Sequence, residues 1–106
     1  MKSFLAVGVF LACAACAATP DEVKPERISP LAYRENTCQE LRASLASRRI
    51  EEARLVALMN SWPRGSGDVV RRIDIGRKLA NERGHIEAAN AVYLRWNCAE
   101  RLKYIG

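Results

Sequence analysis

Four cysteines and a single histidine are the residues of this 106-residue chain with the widest reach into chemistry. Cys38, Cys98 and His85 could in principle form a redox thiol site or part of a metal site. A redox pair favours close Cys-x-x-Cys spacing, however, and a structural zinc takes four ligands. Cys38 and Cys98 stand sixty residues apart and match neither pattern. His85 follows Gly84 with no Ser or Cys nucleophile motif beside it, so it reads as a cap or surface residue rather than a general base. Glu51 and Glu52, flanked by Arg48 and Arg54, read as a solvated helix face. There is no phosphate-cradling glycine loop, no His-Glu-x-x-His and no nucleophile elbow; Gly65-Ser66-Gly67 is too short and lacks a following Lys. The expectation is a protein with no catalytic residues, no metal and no cofactor.

The elements that must position these residues begin with an address. After Lys2 no charge occurs until Asp21, and the stretch from Phe4 to Ala18 is apolar or small throughout. As a helix, such a run of roughly 15 residues spans about 22 Å, short of the ~30 Å hydrocarbon core of a bilayer. A basic start, a short apolar run and small residues behind it describe an export signal instead. The whole chain is 49% apolar with a formal charge of +5, the composition of a globular domain rather than of a disordered chain.

The end of this segment resembles a bacterial lipoprotein signal, in which small residues precede a cysteine that is diacylated and becomes the mature N-terminus. That resemblance assigns residues 1–15 to the signal peptide and lipidation to Cys16, which follows Cys13-Ala14-Ala15; Cys13 is the alternative acceptor. Ordinary cleavage after Ala15-Cys16-Ala17, giving a soluble periplasmic protein, is the other reading of the same residues. Two acyl chains suffice for stable anchoring. With Ala17 rather than Asp after Cys16, the resemblance points to the periplasmic face of the outer membrane. Removing residues 1–15 takes one Lys and no acid, lowering the formal charge by one.

Residues 16–36 then form the lipidated Cys and a linker. Pro20, Pro25 and Pro30 and the absence of an apolar period predict an extended tether, able to reach roughly 40 Å at ~3.1 Å per residue. The helical domain occupies 37–106. Thr37-Cys38-Gln39-Glu40 reads as a capping box, and Leu41, Leu45, Ala46, Ile50, Ala53, Val56 and Ala57 follow at helical steps. Asn60-Ser61-Trp62-Pro63 stops this helix, and Arg64 to Gly67 form a turn. Asp68 can cap a second helix, with Asp68/Arg72 and Asp74/Lys78 as acid-first pairs. Its seam is Ile75, Leu79, Ile86, Ala89, Tyr93 and Trp96, interrupted by Glu82. A second stripe follows at Ala91, Leu94, Cys98, Leu102 and Ile105. Gly84 either sits inside one long helix or divides two, so a hairpin and a three-helix bundle both fit; no alternating β-branched run exists. The fold expected is all-α.

Once one signal cysteine is cleaved away and the other acylated, Cys38 and Cys98 are the only thiols left, in an oxidising compartment where disulfides persist. An antiparallel hairpin turning near Gly65 brings them together. Closing so long a loop removes unfolded-state entropy worth roughly 4 kcal/mol, comparable with the whole stability of so small a domain.

Ser29-Pro30, Tyr33, Cys38, Leu41 and Cys98 resemble a pattern of small proteobacterial envelope lipoproteins: a lipobox and short linker, Ser-Pro-x-x-Tyr, Cys-x-x-Leu, then a helical hairpin ending at a second Cys. The resemblance implies location and shape and brings no established biochemical activity. Here a polar Pro-Arg-Gly-Ser-Gly turn stands where many such proteins carry an apolar, Gly-rich stretch. A looser likeness to a tetratricopeptide repeat rests on Ile75-Gly76, Leu79, Gly84, Ala89 and Tyr93, although one repeat cannot bury its face alone.

Residues 64–83 carry six cations against three acids. A partner-binding surface is therefore expected at Trp62, Arg64, Arg71, Arg72, Arg77 and Lys78, since Trp and Arg predominate at interface hot spots. The partner would be an unknown envelope protein or an anionic envelope surface; export removes the chain from nucleic acid. The expected function is a non-enzymatic, lipid-anchored structural or docking module. A secretion pilotin-like chaperone for an outer-membrane channel and a small periplasmic inhibitor are the alternatives.

Overall fold

The computed structural model describes residues 19–61 and 69–105, the side chains of Val69 and Ile105 excepted. Cys13, Cys16, Trp62, Arg64 and Asp68 lie outside the described residues. The protein is all-α: α1 (Cys38–Ser61), α2 (Val69–Arg95) and the short α3 (Cys98–Ile105), preceded by 3-10 turns at Pro20–Glu22 and Pro30–Tyr33. Among the described residues there is no strand, and no helix is long and apolar enough to cross a membrane.

α1 starts where the capping box places it. The Glu40 amide donates to Thr37 Oγ1 at 3.1 Å, and the Thr37 amide donates back to Glu40 Oε1 at 2.9 Å. Two otherwise orphaned donors are thereby satisfied. The bond from the Thr37 amide, and then the nearby Thr37 hydroxyl, hold the Glu40 pKa below its ordinary value. α1 and α2 then run antiparallel. Near their outer ends Cys38 and Cys98 meet as a disulfide, with Cα atoms 5.3 Å apart, inside the range a bridge requires.

Gly84 does not divide α2, which is one helix through this position. The bend comes instead at Asn97, whose φ of 54° ends the helix. Asn is among the few residues that adopt this left-handed geometry readily. Here the hairpin resolves into three helices, and Arg101 N–H bonds to the Asn97 carbonyl as α3 begins. The continuous α2 also removes the tetratricopeptide likeness, because that repeat needs a helix–turn–helix where this chain has one helix.

The core has two parts. At the disulfide end, Tyr33, Leu41, Leu45, Ala88, Ala89, Val92 and Cys98 are buried together. Toward the turn, Leu55 and Met59 of α1 meet Ile75 and Leu79 of α2. The buried line of α1 is thus Leu41, Leu45, Leu55 and Met59, with Arg48 and Glu52 at its half-buried middle. The expected stripe through Ala46, Ile50, Ala53 and Ala57 is wrong beyond Leu45: these four are exposed, Ile50 at 73%. Likewise Ala91 and Leu94 face solvent while Val92 packs inward, because the turn at Asn97 resets the helical phase before Cys98 and Leu102.

The proline-containing segment differs most from expectation. It is not a free tether from Pro20 onward but lies against the hairpin. Pro20 and Tyr33 are buried. Glu26 N–H donates to the Ala80 carbonyl at 2.9 Å, and Asn81 Nδ2 donates to Glu26 Oε2 at 3.1 Å. Ser29 caps the second 3-10 turn by accepting from the Leu31 amide. Proline's missing donor costs little here, because the amide that bonds to α2 is that of Glu26 and the segment forms no ladder.

Candidate functional site

The polar chemistry of the molecule gathers at the waist of the hairpin, between the two apolar clusters. Arg48 of α1 pairs with Glu82 of α2 at 3.2 Å, and Arg83 of α2 pairs with Glu52 of α1 at 2.8 Å. All four side chains are less than a third exposed, so these pairs are better screened from water than ordinary surface bridges. Arg83 also donates through Nη1 to the carbonyls of Pro20 and Val23, the latter at 2.8 Å. One guanidinium therefore fastens α1, α2 and the N-terminal segment. The seam reading missed Arg48, Glu52 and Arg83 because it followed apolar residues. The signal was there in Glu82, a lone acid on the apolar line of α2 that needed a cation opposite it.

Beside this belt, Tyr33 and His85 face one another with their rings edge to face and the hydroxyl 2.5 Å from Nδ1. Burial first, and then the nearby Arg48 charge, push the His85 pKa down; Glu82 and Glu26 oppose them. A neutral imidazole, unlike an imidazolium, can accept from the Tyr33 hydroxyl at Nδ1. His85 is therefore half-buried and holds the N-terminal segment, rather than serving as a cap or surface residue. Among the described residues, no group of three His, Cys, Asp or Glu is placed to hold a metal ion.

The described residues of the expected basic surface all lie on α2. Arg71, Arg77 and Lys78 are exposed, but Lys78 is paired with Asp74 at 3.2 Å. Arg77 lines a cleft with Glu26, Glu51 and Glu82. Arg72 turns inward, its Nε buried with no hydrogen-bond partner among the described residues. Arg71 and Lys78, seven positions apart, share one face of α2, with Arg72 and Arg77 to either side of it. Trp62 and Arg64 lie outside the described residues.

A groove the sequence reading did not pick out lies at the other end, between the second 3-10 turn and the last turns of α2. Pro30, Leu31, Ala91, Val92 and Trp96 form it, with Arg34 and Arg95 exposed beside them and no acid in its lining. Leu31 is 67% exposed there. An apolar floor with two cations at its edge suits an apolar group attached to an anion. Only the docked N-terminal segment brings Leu31 and Arg34 to α2, so a reading of that segment as free could not have found the groove. In comparisons with known proteins, no family model, no curated protein and no solved structure matches the chain.

Proposed function

We propose that the mature protein is a non-enzymatic, lipid-anchored module of the bacterial cell envelope. It would be acylated at Cys16, with Cys13 as the alternative, held at the periplasmic face of the outer membrane, and docked onto an envelope partner. The observation that carries the docking part is the groove of Leu31, Val92 and Trp96 flanked by Arg34 and Arg95. It suits a peptide segment that presents an apolar side chain next to a carboxylate. The apolar N-terminal stretch and its two cysteines support the anchor. A pilotin-like chaperone is the second reading, favoured by the same groove because such a chaperone would need a peptide site.

A photo-crosslinking residue in place of Leu31, activated in intact envelopes, tests the docking. A discrete adduct that disappears when Arg34 and Arg95 are both changed to Glu is expected. No adduct, or one indifferent to those charges, contradicts it. Palmitate labelling of the wild type against Cys16→Ser and Cys13→Ser tests the anchor and identifies its residue.

A further inference from the structure

We infer that the hairpin lies flat along the membrane, its flank against the lipid headgroups, because its anchor is too short to let it stand; this rests on the reading that Cys16 is the acylated residue. The N-terminal segment does not trail from the end of the bundle. It is fastened at the waist, where Arg83 holds the carbonyls of Pro20 and Val23 and Ala80 accepts from the Glu26 amide. Val23 packs against the turn-side cluster, and Gly84 leaves room for Glu26 and Ile28. The chain between an acylated Cys16 and the fastened Pro20 is therefore only Ala17, Ala18 and Thr19. Even fully stretched, it reaches only about 14 Å.

Arg83 lies near the middle of α2, with Val69 and Arg95 at its ends. At 1.5 Å per residue those ends are roughly 21 and 18 Å from it. A hairpin standing upright would drive one half several ångströms below the acylated residue, into the acyl layer. One end would carry Arg71 there and the other Arg95, each about 18 Å from Arg83 along the helix, and both insertions are costly. Lying flat avoids both. The headgroup layer, about 5–7 Å deep, and the ~5 Å radius of a helix together fill the reach of the tether. The flank bearing Pro20 must then rest on the headgroups.

Polarised infrared spectroscopy of the lipidated protein in oriented phosphatidylethanolamine–phosphatidylglycerol bilayers tests this, after mass spectrometry of the same sample has located the lipid. The expected result is amide I dichroism of helices parallel to the bilayer plane. That dichroism should be lost when a twelve-residue Gly-Ser spacer is inserted between Ala18 and Thr19. Lipid on Cys16 with isotropic or upright helices in the wild type overturns the inference and leaves the anchor standing. A chain without lipid on Cys16 overturns both.

Discussion

Gly84 lies so close to the Glu26 carbonyl that a Cβ there would overlap the oxygen, and it would also come within 2.9 Å of Ile28 Cγ1. A glycine inside a helix costs about 1 kcal/mol relative to alanine. Here that cost admits the N-terminal segment to the surface of α2. Gly84→Ala is therefore expected to displace residues 23–29 while leaving α2 intact. Faster tryptic cleavage after Arg27 at unchanged far-ultraviolet helicity is the expected outcome. Unchanged cleavage would mean that the segment has room to spare.

The disulfide closes the end of the hairpin opposite the turn. Replacing Cys38 and Cys98 together by Ser is expected to cost roughly 4 kcal/mol, from the freedom regained by the unfolded chain. In a domain of this size that lowers the melting temperature by about 15–30 °C. Calorimetry of the double variant beside the oxidised wild type measures it, and a fall of only a few degrees would show that the apolar clusters suffice.

The waist pairs should behave as pairs. Glu82→Leu alone leaves Arg48 half-buried without its acid, and a loss of about 2–3 kcal/mol is expected. Arg48→Leu combined with Glu82→Leu joins the two apolar clusters across the belt and should recover most of that loss. Urea denaturation of the two single variants and the double variant gives the coupling directly; additive losses would contradict it.

The burial of His85 beside Arg48 makes stability depend on pH. The folded state holds the His85 pKa below its ordinary 6.5, so the unfolded chain takes up the proton first as pH falls. The contribution is whole above the ordinary value and is lost as pH descends from there through the folded-state pKa. Melting temperature should thus fall on acidification from pH 7.5 to 5.5. His85→Asn should flatten that part of the profile while Glu40 remains ionised. An equal slope in the variant would place the dependence elsewhere.

The fold was legible where local chemistry decides it. Thr37 and Glu40 announced the start of α1, and Cys38 and Cys98 the closure of the hairpin. Leu41, Leu45, Ile75, Leu79 and Ala89 announced its inner face. Legibility failed where a residue's role depends on a distant partner. Arg48 and Glu52 occupy seam positions in α1 only because Glu82 and Arg83 face them. Pro20 to Tyr33 look like a tether because their bonds go to Arg83, Ala80, Asn81 and His85, more than fifty residues away. The groove at Leu31 and Trp96 was hidden for the same reason. Gly84 was ambiguous until the chain it accommodates was in place.

Intact mass and peptide analysis of protein purified from native envelopes under non-reducing conditions bears most directly on the account. It predicts a chain beginning at an acylated Cys16, with the Cys38 and Cys98 peptides recovered as one cross-linked species. A chain still beginning at Met1, with free thiols at Cys38 and Cys98, would contradict it.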